Sequence, residues 1–250
     1  MFKGDFVHLD KFKTMIETNW PGSLISLKHA RELHPRAKEY LYRLSRRNEI
    51  KRVVRGWYII PIDYRDPWDF ITRDKGFKVI IKQTAASIWN YDFIHRDVIH
   101  LAVNDKAYGR ALEALGKIMG WNFEVEYHKV IPYEYRKINN LYIETIESSI
   151  VSCIVDWSFI DAFATLYFRR REIDFSKLKT LSRWKRISNT DLRAWTLIKY
   201  GCSLLNEYLG KRIFKIKPTE IKQIDIKELV KEAVEKVIEH AWSNRTHEET

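Results

Sequence analysis

Apolar residues recur about every 3.6 positions at the start of the chain. Leu9, Phe12, Ile16 and Trp20 fall on one face of a helix over His8–Asn19, which Pro21-Gly22 ends. Ser26 offers an N-cap to a short helix, Leu27–Leu33, that stops before Pro35. Pro35 suits the first turn of a third helix, Arg36–Arg47. Ala37, Tyr40, Leu41 and Leu44 line its apolar face, while Lys38, Glu39, Tyr42, Ser45 and Arg46 point away. Asn48 fits the left-handed cap that closes such a helix. Alternation then replaces the helical period, and Ile50–Val54 and Trp57–Ile60 read as a hairpin turned at Arg55-Gly56. Helix, short helix, helix and basic hairpin is the order of a winged helix-turn-helix, expected over residues 1–62.

Beyond a linker, Pro61–Arg65, the pattern changes character. Asp66-Pro67 opens a short helix, and Gln83–Trp89 looks like a helix start. Val98–Val103, Phe123–Ile131 and Leu141–Thr145 read as strands, with an amphipathic helix at Ala107–Lys117. Ser148–Phe168 reads as one long, mostly buried helix, and Asp191–Tyr208 as another, closed by Gly210. The last element is amphipathic over 225–242, with Asp225 and Glu228 in a capping-box variant. Its apolar stripe comprises Ile226, Leu229, Val230, Ala233, Val234, Val237, Ile238, Ala241 and Trp242. That helix packs on its own domain or docks a partner. His247–Thr250 reads as a frayed tail. The fold class expected is α+β: a small N-terminal reader, then a larger mixed α+β domain over 66–250.

Charge sharpens this division. The 250 residues carry a formal net charge of +11, which points to an anionic partner. Between Gly22 and Pro61 ten bases face three acids, so +7 of the +11 sits there. A second cluster, Arg169–Arg193, holds nine bases against Glu172, Asp174 and Asp191. Double-stranded DNA is the partner such a basic reader suits. Lys38, Tyr42 and Arg46 would reach bases or nearby phosphates from the third helix. Arg36, Arg43, Arg47, Lys51, Arg52 and Arg55 would grip the backbone. A homodimer on an inverted-repeat operator is the arrangement expected for one short reader.

The run LISLKHARELHPRAKEYLYRLSRRNEIKRVVRGWYIIP resembles the N-terminal domain of AbiEi-type antitoxins. These are the transcriptional-regulator half of type IV abortive-infection toxin–antitoxin pairs. The family's R-x-x-R-G-x-Y hairpin reads here as Arg52, Arg55, Gly56 and Tyr58, followed by Pro61. Asn48 stands where the family commonly has Gly. Thr84, Ala85, Ala86 and Ser87 occupy the place of a Ser/Ala-rich segment, and Glu147-Ser148-Ser149-Ile150 lacks the Arg of the family's later signature. The resemblance covers about forty residues well. It implies repression of the chain's own operon and antagonism of a nucleotidyltransferase-type toxin, with no direct contact required.

Other classes are less well served. The most apolar stretch, Ile150–Phe168, is cut by Asp156 and Asp161, so no membrane association is expected. MFKGDFVHLDK contains no signal-peptide core, and Cys153 and Cys202 are the only cysteines; both fit a cytoplasmic location. Nine glycines, two glutamines and abundant Lys, Glu and Ile give a thermophile-like composition. No phosphate-cradling Gly loop, nucleophile elbow or zincin motif occurs, and neither cofactor nor metal is expected. The enzymatic alternative is a metal-dependent nuclease built on Glu124, Glu126 and His128, which alternate on one strand face, with Asp97 or Asp105 completing the set. His95 and His100 invite the same idea. An RNA-binding or protein-docking module is a further alternative. Asp156 and Asp161 read as helix partners for Arg169–Arg171.

Overall fold

The computed structural model describes the backbone of residues 3–74, 78–90 and 97–248, and the side chains of 8–74, 78–90 and 97–243. The chain is mixed α+β, with eleven helices and two sheets among the described residues. It divides into two compact units.

The first unit takes in Met1–Ile81, Asp97–Pro132 and Lys137–Tyr142. Its first three helices are α1 (Lys3–Asn19), α2 (Leu27–Leu33) and α3 (Ala37–Arg46). Leu9, Phe12 and Ile16 of α1 pack against Ala30 of α2 and Ala37, Tyr40, Leu41 and Leu44 of α3. These are the apolar positions that the helical period picks out. Each large side chain so buried contributes roughly 1.5–3 kcal/mol. The Phe12 and Tyr40 rings meet at 5.3 Å between centroids.

A three-stranded antiparallel sheet completes this region, in the order β1 (Leu24–Ser26), β3 (Trp57–Ile59), β2 (Lys51–Val54). Strand β1 is fully buried and only three residues long, so no alternation announces it. Pairing with β3 is what makes it a strand. The β2–β3 register shifts between Arg52 and Val54, a bulge just before the turn. Gly56 turns the hairpin at φ 81°, a backbone region that favours glycine. Its carbonyl accepts from the Leu27 N–H at 2.7 Å, while Ser26 Oγ accepts from the His29 N–H at 3.0 Å. The hairpin turn and the serine cap therefore fix the start of α2 together. Asn48 adopts φ 59°, the left-handed cap its residue type favours.

Helix α4 (Pro67–Arg73) follows, capped by Asp66, and then strand β4 (Val79–Ile81). Helix α5 (Ala85–Trp89) belongs to the second unit. The first unit resumes with β5 (Val98–Val103), α6 (Lys106–Met119) and β6 (Asn122–Tyr127). Strand β5 runs antiparallel to β4 and parallel to β6. The hairpin of β7 (Tyr135–Ile138) and β8 (Leu141–Glu144), whose tip lies in this unit, completes the order β6-β5-β4-β8-β7. The strand expected over Phe123–Ile131 stops at Tyr127, because its pairing partner β5 ends at Val103. Strand β2 lies against α6, and Trp57 of β3 meets Tyr108 of α6 at 5.7 Å between centroids.

The second unit takes in Lys82–Arg96, Tyr133–Arg136 and Ile143–Thr250. The single helix expected over Ser148–Phe168 is two: α7 (Ile146–Val155) and α8 (Phe159–Phe168). Both are buried nearly all round, so the hydrophobic pattern carries no mark of the break. The break is a left-handed closure at Trp157, φ 64°, with the Ser158 N–H donating back to the Cys153 carbonyl at 2.7 Å. Trp157 Nε1 donates to the Ser188 carbonyl at 3.1 Å, which offsets the cost of a bulky residue there.

Helix α9 (Phe175–Ser182) follows an Asp174 cap. Helix α10 (Ala194–Tyr208) starts three residues later than expected, because 186–193 close a tight loop first. Helix α11 (Ile224–Glu248) is longer than the expected 225–242, and Asp225 lies inside its first turn instead of capping it. It packs on α8 and α10 through Ile226, Val230, Val234, Val237 and Ile238, while Leu229 and Trp242 of the expected stripe are exposed. No described helix is long and apolar enough to cross a membrane.

Candidate nucleic-acid interface

The polar face of α3 and the β2–β3 hairpin meet along one concavity of about 900 Å³ in the first unit. Leu27 and Arg31 of α2 form one wall. Arg36, Lys38, Glu39 and Tyr42 form the second, and Arg52, Arg55, Gly56 and Tyr58 the third. Five of the nine residues expected to bind DNA thus line one groove: Arg36, Lys38, Tyr42, Arg52 and Arg55. Arg43, Arg46, Arg47 and Lys51 are not among its lining residues.

The cations differ in how far they are already committed. Glu39 takes Arg36 in a two-pronged pair at 2.9 and 3.0 Å and Arg43 at 2.5 Å. Arg36 also lies over the Tyr40 ring, 5.3 Å from its centroid. Glu49 holds Arg47 at 3.7 Å and Lys13 at 2.9 Å, and the Glu49 hydrogen bond raises the Lys13 ammonium above its ordinary range. Lys38, Arg46, Lys51 and Arg55 are exposed and make no ion pair with the described residues. Tyr42 is 61% exposed, with its ring presented at the groove. Lys38 and Arg55 therefore supply charge that the fold has not neutralised, beside an exposed aromatic ring. Arg31 and Tyr58 were missed by sequence reasoning. Arg31 follows Leu27 by four residues, so the two share a face of α2, which is the signal that could have found it.

The second unit contains a buried polar cluster that the sequence does not flag. Glu144, at the end of β8, is fully buried. Its Oε1 accepts from Ser148 Oγ at 3.0 Å and Ser152 Oγ at 2.7 Å, while Oε2 has no hydrogen-bond partner. Burial pushes its carboxyl up to about 7, against the pull of the two serines and the Lys82 ammonium. Lys82, 2% exposed, reaches Asp156 at 3.4 Å, and Gln83 Nε2 donates to the same Asp156 oxygen at 2.7 Å. Asp156 therefore pairs with Lys82, and not with Arg169–Arg171 as expected: it caps α7, next to the segment that carries Lys82. Ser148 and Ser152, four residues apart, share one side of α7 and face Glu144 at the end of β8.

The nuclease set does not assemble. Glu124 pairs with His100 across the β5–β6 register at 3.2 Å, and Glu126 pairs with His128 at 3.0 Å. Asp105 is engaged as the cap of α6, accepting from the Tyr108 N–H at 2.8 Å. Among the described residues no three His, Cys, Asp or Glu side chains are grouped to hold a metal ion. His95 lies outside the described residues. Cys153 and Cys202 are buried free thiols, and burial pushes Cys202 well above the usual thiol range. No family model matches the chain, and no curated protein does.

Proposed function

We propose that α1–α3 and the β1-β3-β2 sheet form a winged helix-turn-helix that binds double-stranded DNA, making the chain a transcriptional regulator. The observation that carries this reading is the single groove between α3 and the hairpin, into which Lys38, Tyr42 and Arg55 project. An α-helix fits the major groove, and a hairpin beside it reaches phosphates or the minor groove. Lys38, Tyr42 and Arg46 read bases or nearby phosphates. Arg52 and Arg55 hold the backbone from the hairpin, with Lys51 beside them. Arg36, Arg43 and Arg47 hold phosphate only after exchanging Glu39 or Glu49 for it, so their net contribution is smaller. The chain acts by occupancy: bound at a promoter in the cytoplasm, as two copies on an inverted repeat, it excludes RNA polymerase. The resemblance to AbiEi-type antitoxins extends this to autorepression of an operon shared with a nucleotidyltransferase-type toxin.

The test is binding to the DNA upstream of its own gene across a salt series. Each phosphate contact contributes about 0.9 to the slope of log affinity against log salt. Arg52→Ala/Arg55→Ala is expected to flatten that slope by about 2. Absence of binding to that DNA and to random duplex at low salt refutes the reading. A neighbouring gene unrelated to nucleotidyltransferases removes the antitoxin extension and leaves a DNA-binding regulator.

A further inference from the structure

Seven of the nine bases between Arg169 and Arg193 fall into two groups. Arg169 bonds the Trp89 carbonyl at 2.7 Å and Glu172 at 2.9 Å. Arg170 donates to the Tyr167 carbonyl, and Lys177 bridges Glu134 and Glu147. These serve the fold. Arg183, Lys185, Arg186 and Arg193 are exposed, as is Trp184 at 67%. The Arg183 and Arg193 guanidinium carbons each lie 4.8 Å from the Trp184 ring centroid. Asp191 pairs with Arg186 at 3.3 Å. Arg183, Lys185 and Arg193 make no ion pair with the described residues.

An exposed tryptophan alone means little. Here it sits on a pre-set platform. The loop after it closes through Ile187 N–H to the Leu192 carbonyl and Ala194 N–H to the Lys185 carbonyl, both at 2.9 Å. It is fastened to the end of α7 by the Ser188 N–H on the Val155 carbonyl and by Trp157 Nε1 on the Ser188 carbonyl, both at 3.1 Å. Ile187, 1% exposed, anchors it from below. The backbone carrying the indole and the two guanidinium groups is therefore largely fixed before binding.

We propose that this face of the second unit binds single-stranded nucleic acid. An unpaired base stacks on the exposed part of the Trp184 indole or on a guanidinium group lying over it, and Lys185 and the arginine not so used take the adjoining phosphates. Planar cations and an indole are the surfaces on which unpaired bases stack. Bases in a duplex have both faces covered by their neighbours, so duplex DNA meets only the charge here. The proposal does not depend on the duplex-binding groove of the first unit.

The experiment is fluorescence anisotropy of the full chain with labelled oligo-dT and oligo-U of about 15 nucleotides, long enough for one binding site. Trp184→Ala is expected to weaken binding about fivefold or more, because one base stack is worth roughly 1–3 kcal/mol. Trp184→Phe recovers part of that loss. Lys38→Ala/Arg55→Ala leaves it unchanged, while Trp184→Ala leaves affinity for duplex DNA unchanged. An oligo-dT preference assigns single-stranded DNA, and an oligo-U preference assigns RNA. The proposal is overturned if the chain binds neither oligonucleotide at low salt. It is also overturned if Trp184→Ala changes affinity by less than about twofold while circular dichroism shows a folded chain. Equal competition by a poly-glutamate peptide overturns it too, since the face would then read charge alone.

Discussion

Glu144 makes stability depend on pH in a direction opposite to most carboxylates. Its carboxyl is held at about 7 where 4.5 is ordinary, by burial at the end of β8 with one oxygen unpartnered. Below pH 4.5 the folded and unfolded chains both keep the proton. As pH rises from there, the unfolded chain releases it first, so the folded state loses relative stability until its own carboxyl ionises near 7. Over that interval the linkage amounts to about 3 kcal/mol, at 1.36 kcal/mol per pH unit. Glu144→Gln removes the titration and keeps an oxygen to accept from Ser148 and Ser152. Its stability relative to the parent chain is expected to rise by about 3 kcal/mol between pH 4.5 and 8, whatever constant offset the amide introduces. For a chain of this size that is a gap in Tm growing by roughly 6–12 °C. Urea and thermal unfolding of both proteins at four or five pH values measure it. A stability difference that stays flat across this range refutes the assignment of a raised carboxyl to Glu144.

Two further substitutions test the packing and the caps. Gly201 of α10 lies so close to Phe163 of α8 that an added Cβ would meet its ring at 2.0 Å, and Phe163 is fully buried. Gly201→Ala is expected to cost about 3 kcal/mol by thermal unfolding, with Phe163→Leu in the same chain recovering most of it; wild-type stability in the single variant contradicts the α8–α10 contact. At Asn48, φ 59° and exposed, Gly is expected to match or slightly exceed Asn, whereas Ala costs about 1 kcal/mol in denaturant titration; equal stability of all three would mean the cap is not left-handed in solution.

The candidate groove was largely legible before the fold, because its parts are local. The apolar face of α3 leaves Lys38 and Tyr42 outside by period alone, and Arg55-Gly56 marks a turn by residue chemistry. What the pattern lacked was partners. Glu39 and Glu49 each hold two cations, and counting charge along the chain does not tell a neutralised Arg43 from an unpaired Lys38. Helix α9 carried a readable signal, Asp174 ahead of Phe175–Ser182, that the long basic run obscured.

The amino-acid sequence by itself determined the helices, their caps and the hairpin of the first sixty residues, and the concentration of charge there. Each depends on residues within a few turns of one another: a period, a cap, a glycine at positive φ. The tertiary structure alone decided the three-residue strands β1 and β4, the break at Trp157, the burial that raises Glu144, and the division of the second basic cluster into fold-serving and exposed halves. Each of these is settled by a partner far away in the chain: β3 for β1, the Ser188 carbonyl for Trp157, Lys82 for Asp156, the Trp89 carbonyl for Arg169. No local pattern encodes which distant group will stand opposite.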